Sequence, residues 1–183
     1  EEKPLITELL TQDIKRARPA LLALFTEWQS RLITVAVLEG RVPGQVYVDD
    51  AQRPRSALLW DHVEGELYLS GEASNKAFNR SVNDLIRGPI RTKAQAELTH
   101  LSEFTLYCPP NAWQDQVGVL LRDTNPMRHH RIYLALAKPR VDWRARVPDG
   151  FAVTPLNARL FRRDDLAGLD TMREWVLGDW GSA

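Results

Sequence analysis

Cys108 is the only cysteine in the 183 residues. A lone cysteine forms no intramolecular disulfide. That sets aside the disulfide-stapled secreted domains and suits a reducing compartment. The chain also lacks a dominant charge, because 24 basic and 24 acidic residues cancel. Without a net field there is nothing to recruit nucleic acid or an anionic membrane, so neither is expected as a partner. Long apolar runs are missing: Leu32 to Leu38 is among the longest and is far too short to span a bilayer. No basic start leads into a hydrophobic run, so a secretory signal is not expected and a cytoplasmic location is. Cys-x-x-Cys and His-Glu-x-x-His spacings are absent, so no metal is expected. There is no Gly-x-Ser-x-Gly elbow and no Gly-Lys-Ser/Thr phosphate loop.

What remains is a globular composition, 44% hydrophobic and long enough for one domain plus part of another. Near the start, the spacing predicts a helix from Ile6 to about Lys15, ending near Arg18. Pro19 then opens a second helix with Leu21, Leu24, Phe25 and Trp28 on one face. The β-branched run Leu32 to Leu38 predicts a strand. A meander follows at Gln45 to Asp49, Ser56 to Trp60 and Leu67 to Leu69, with turns at Asp50 to Pro54 and Val63 to Gly65. Ser74 or Asn75 can cap a helix carrying Phe78, Val82, Leu85 and Ile86, and Gly88-Pro89 should stop it. Phe104 to Cys108 predicts a strand. Asn111 can cap a helix with Trp113, Val117, Leu120 and Leu121, and Arg131 to Leu136 predicts a further strand.

Lys138 to Gly150 has the prolines and arginines of a linker. Beyond it, Phe151 to Leu156 predicts a strand and Asp164 to Leu177 a helix. One strand and one helix cannot bury both faces of the strand. The expected division is therefore a domain at 1–149 and the start of a second, incomplete unit at 150–183. The expected fold class is α/β (α+β): a mixed, mostly antiparallel central sheet flanked by helices.

Few side chains stand out as chemistry. Asp49 and Asp50 are adjacent on a strand and point to opposite faces, which favours turn formation over a shared metal. His129 and His130 likewise face opposite ways, and His62 and His100 stand alone. Cys108 has no local base and is expected as a structural thiol, although His100 or His130 could fold close. Trp60 and Tyr68 lie on successive strands and could line a cleft that holds a substrate; core packing is the alternative.

Three phrases resemble a known family. "G-x-V-x-V-D-D" is matched by Gly44, Val46, Val48, Asp49 and Asp50. "P-x-x-A-L-x-W" is matched by Pro54, Ala57, Leu58 and Trp60. "L-Y-L-x-G" is matched by Leu67, Tyr68, Leu69 and Gly71. With "HRIYLAL" and "PDGFAV" further on, the chain resembles the GNAT superfamily, in its zwittermicin-resistance-like group of acetyltransferases. The resemblance implies a GNAT-like N-terminal part followed by a C-terminal GNAT domain that carries acetyl-CoA. It also implies a small-molecule amine as acetyl acceptor. The Arg/Gln-x-x-Gly-x-Gly/Ala loop that cradles pyrophosphate in such enzymes is not among these residues. Its equivalent junction is Ser70 to Lys76, which reads as a plain strand-to-helix turn; the alternative is a residual anion site, with Gly71, Ser74 and Asn75 as the candidate cofactor contacts. Glu72 sits among them, where it would repel phosphate. The resemblance places no catalytic residue. The alternative is a non-catalytic GNAT-like binding or interaction module, with a pocket or a homodimer surface and no cofactor.

Overall fold

The computed structural model describes residues 6–97, 104–109, 112–129, 142, 144–154, 158–163 and 165–172. They fall in two compact units, 1–126 and 127–183.

The first unit is built on a five-stranded sheet in the order β1-β2-β3-β4-β5. The strands are β1 (Thr7–Glu8), β2 (Gly44–Val48), β3 (Ser56–Asp61), β4 (Glu66–Gly71) and β5 (Thr105–Tyr107). Each neighbouring pair is antiparallel except β4 and β5, which run parallel. The meander is antiparallel as its strand spacing implies, and the parallel β5 makes the whole sheet mixed, mostly antiparallel. The β4–β5 pairing covers Glu66 to Tyr68 against Thr105 to Tyr107.

Side-chain alternation sends successive residues to opposite faces. Val46, Val48, Ala57, Leu59 and Tyr68 pack with Leu9, Ala17, Leu21, Phe25, Val37 and Leu38 on one face. Tyr47, Leu58, Trp60, Leu67 and Leu69 pack on the other with Phe78, Val82, Ile86, Ile90, Trp113 and Leu120. The first face is covered by α1 (Thr11–Leu24) and α2 (Trp28–Leu38). The second carries α3 (Lys76–Leu85), a π turn (Ile86–Ile90), α4 (Arg91–Glu97), a 3-10 turn (Gln114–Gln116) and α5 (Val117–Leu120).

Several expectations are corrected here. The stretch around Ile6 is not helical: Thr7–Glu8 is an edge strand and α1 begins at Thr11. Pro19 lies inside α1 rather than opening a helix. Burial of Ala17 and Leu21 against the sheet holds the helix across the missing hydrogen bond. Leu32 to Leu38 is helix, not strand. A short continuous apolar run does not separate the two by periodicity. Here the Thr34 hydroxyl donates back to the Ser30 carbonyl at 2.6 Å, a bond that helical geometry provides.

Gly88-Pro89 does not end the third helix. The chain widens into a π turn that accommodates the proline, because Ile86 and Ile90 are both buried in the core. The strand expected at Arg131 to Leu136 lies outside the described residues, and so does Asn111.

In the second unit, Arg144–Arg146 is a 3-10 turn and Ala158–Phe161 is a short helix, α6. Residues 151–154 carry no regular structure where a strand was expected. Among the described residues of the expected helix, 165–168 are a bend and a turn and 169–172 are helical. Gly168 explains the late start. Its φ of +81° is a conformation that a helix does not contain. Among the described residues no helix is long and apolar enough to cross a membrane.

Candidate functional site

Two places in the first unit bring functional groups together. The first is the turn from β4 into α3, which contains Gly71, Ser74 and Asn75. Gly71 has φ +87°, and a Cβ there would lie 2.0 Å from the Arg55 carbonyl oxygen. The glycine is therefore demanded by the close approach of the chain entering β3. The Glu72 N–H donates to that same Arg55 carbonyl at 2.8 Å. The Ser74 hydroxyl donates to Glu72 Oε1 at 2.9 Å. Asn75 Oδ1 caps α3 by accepting the Phe78 N–H at 3.1 Å. Its Nδ2 donates to Asp49 Oδ2 at 3.0 Å and to the Ser56 hydroxyl at 3.3 Å.

Asp49 anchors this knot. Its side chain is 8% exposed, and its Oδ1 accepts the N–H groups of Asp50, Arg55 and Ser56 at 2.9–3.1 Å. Asp50 in turn accepts from Gln52 and Arg53. The acidic pair thus shapes the β2–β3 turn. The Arg55 guanidinium lies 3.6 Å from both Asp49 and Glu72.

A pyrophosphate needs free N–H donors at a helix N-terminus and an absence of negative charge. At this junction the Glu72 N–H, the Ser74 hydroxyl and the Asn75 amide all have protein partners. Two carboxylates sit beside them. The residues present do not fit the pyrophosphate of acetyl-CoA.

The second place is on the α1–α2 face, where β4 meets β5. The Tyr68 and Tyr107 rings stack with centroids 4.8 Å apart and planes 7° apart. Both hydroxyls donate to the Glu66 carboxylate: Tyr107 to Oε1 at 2.8 Å, and Tyr68 to Oε2. Parallel register makes this meeting unavoidable, since Tyr68 pairs with Tyr107 and Glu66 precedes Tyr68 by two on the same face. Burial, and then the Glu66 carboxylate, push the Tyr68 phenol above its ordinary pKa. It stays protonated and donating at any physiological pH. Glu66 and Tyr107 are half-buried. The next residue, Cys108, is also half-buried, and burial pushes its thiol up to about 11.

Tyr68 and Trp60 are not brought together. Tyr68 lies on the α1–α2 face; Trp60 pairs with Leu67 and lies on the opposite one. Trp60 is 1% exposed and tilted against His62 at 4.2 Å, with the Lys93 ammonium 5.6 Å from its ring. Its indole N–H has no hydrogen-bond partner among the described residues. His62 is not solitary: its Nε2 contacts Gln45 Oε1 at 3.1 Å, and Lys93 donates to that same oxygen at 3.3 Å.

The sequence reading missed Glu66 and Tyr107. The signal for Glu66 was local, in the i, i+2 spacing of Glu66 and Tyr68 on a strand. Tyr107 carried none, because its place beside Tyr68 depends on which strand follows β4 in the sheet.

The description of the GNAT acetyltransferases as a family matches residues 22–170. The chain belongs to the GNAT acetyltransferase family. This GNAT chain has no significant match among curated proteins. Among solved structures it is similar to the ribosomal-protein-alanine N-acetyltransferase of Brucella melitensis biovar Abortus 2308. Identity is 12%, the match covers 72% of this GNAT chain and 98% of that one, and the TM-score is 0.39. GNAT acetyltransferases generally use acetyl-CoA as acyl donor.

Proposed function

We propose that this GNAT chain is the front part of an N-acetyltransferase of the zwittermicin-resistance-like group. That enzyme would move acetyl from acetyl-CoA to the amine of a small molecule. In this reading the first unit recognises the substrate. The observation that carries it is the Glu66 carboxylate held by the hydroxyls of the stacked Tyr68 and Tyr107. A substrate amine arrives as an ammonium. A carboxylate beside aromatic rings suits such a cation, by charge and by the electron-rich ring faces.

Each chain residue has a defined task. Glu66 supplies the negative charge. Tyr68, buried on the α1–α2 face, fixes one carboxylate oxygen, and Tyr107 fixes the other. A carboxylate held at both oxygens presents one geometry to an incoming ammonium, so little ordering is needed on binding. The thioester chemistry is not assigned to this unit, because the β4–α3 junction does not fit the cofactor. Trp60 is not part of this site.

Titration of a panel of small primary amines into the chain tests the proposal, followed by calorimetry and amide chemical shifts. Amines that bind should shift the amides of 66–68 and 105–107. Glu66→Gln keeps an acceptor but removes the charge, and should weaken binding at least tenfold. Equal affinity for the wild type and Glu66→Gln would remove the recognition role.

A further inference from the structure

We infer that the β4–α3 junction is a self-filled anion site. Protein carboxylates occupy the place where a GNAT fold would receive phosphate, and acetyl-CoA does not load there. This inference rests on the family assignment and deepens the recognition role proposed above.

Three independent features of the junction agree. The first is steric. Gly71 has the positive φ of a phosphate-loop glycine, but the space where its Cβ would stand is filled by the Arg55 carbonyl rather than open to a ligand. The second is donor use. The Glu72 amide donates to Arg55, the Ser74 hydroxyl to Glu72, and the Asn75 amide to Asp49 and Ser56. The third is charge. The Asp49 carboxylate is almost completely buried, and it takes three backbone N–H groups, the Asn75 amide and the nearby Arg55 guanidinium. The three N–H groups belong to the β2–β3 turn, so Asp49 ties that turn to the Asn75 cap and sets a buried negative charge beside the junction. Glu72 adds a second, more exposed carboxylate that holds Arg55 and Ser74 in place. A pyrophosphate would have to displace both contacts and then sit against two like charges.

A glycine at the end of β4 followed by a capped helix therefore has a complete structural explanation without a cofactor. The chain keeps the shape of the GNAT junction and fills it from within.

Acetyl-CoA and inorganic pyrophosphate are the probes, titrated into the full chain by calorimetry with amide shifts recorded in parallel. The expected result is no saturable binding of either, or acetyl-CoA binding whose shifts lie away from 71–76 and which Ser74→Glu leaves unchanged. Glu72→Ala leaves Arg55 with Asp49 alone, frees Ser74 and removes one charge, and should raise pyrophosphate affinity at least tenfold over the wild type. Two outcomes would overturn the inference. One is saturable acetyl-CoA binding that shifts the amides of 71–76 and is lost in Ser74→Glu. The other is a well-folded Glu72→Ala chain with no gain for pyrophosphate. Failure of the amine titration with a silent junction removes only the recognition role. Cofactor binding at the junction with amine binding intact removes only this inference.

Discussion

Tyr68 and Tyr107 stand face to face on parallel strands, 4.8 Å between ring centroids, and both donate to one carboxylate, that of Glu66. The pair therefore ties β5 to the end of the antiparallel meander by side chains as well as by its three-residue ladder. Tyr107→Phe keeps the stack and removes one charge-assisted hydrogen bond. It should cost about 1–2 kcal/mol in urea unfolding. Tyr107→Ala also removes the stacked ring and should cost clearly more. An unchanged urea midpoint for Tyr107→Ala would show that β5 is held by its backbone alone.

Gly71 has little tolerance. An alanine there meets the Arg55 carbonyl at 2.0 Å and must hold a left-handed φ of +87°. Gly71→Ala should destabilise the fold by about 2 kcal/mol or more. Gly88→Ala offers a control, since beyond its own helical turn nothing lies within 4 Å of a Cβ there. Thermal unfolding of the two variants should separate them by several degrees, with Gly71→Ala the lower.

Asp61 closes β3 nearly buried, and its Oδ1 accepts the Val63 N–H at 2.8 Å. Desolvation raises its pKa in the folded state. The folded chain then binds this proton more tightly than the unfolded chain. Stability credited to the group is complete below the unfolded carboxylate value, about 3.9, and is lost as pH rises through the higher folded value. Asp61→Asn keeps the acceptor and abolishes the titration. Stability measured from pH 4 to 7 should fall less steeply in Asp61→Asn than in the wild type. Parallel slopes would refute the assignment.

Cys108 follows Tyr107, and its thiol titrates near 11 because of burial. Only the thiolate attacks an alkylating agent. Iodoacetamide labelling of the native chain, followed by mass spectrometry, should be slow at pH 7.5. It should rise about tenfold per pH unit towards 10. Fast labelling at neutral pH would mean that the thiol is activated.

Much of the sheet was legible because alternation along a strand is a local property. Val46, Tyr47 and Val48, then Leu58, Leu59 and Trp60, then Leu67, Tyr68 and Leu69 announce both faces of the meander without any long-range information. The Asn75 cap on α3 was equally readable, since a cap serves a backbone N–H three residues away. Helix and strand were confused where burial overrode propensity. The β-branched run Ile33 to Val37 is helical because it packs onto the sheet as α2, and Pro19 stays inside α1 for a similar reason.

The candidate sites divide along the same line. The family resemblance rests on short phrases, and those are written in order along the chain: Gly44 to Asp50, Pro54 to Trp60, Leu67 to Gly71. The placing of side chains against one another was not. Trp60 and Tyr68, close in sequence, face opposite sides of the sheet, whereas Tyr68 and Tyr107 meet across nearly forty positions. Asp49 reaches the cap of α3 across 26 positions, a contact that no local spacing announces. Periodicity and capping are decided by neighbours in the chain, so the sequence by itself determined the three strands of the meander, the capped helix and the family resemblance. Strand order and register are decided by the packing of the whole sheet, and only the tertiary structure showed which carboxylate meets which donor.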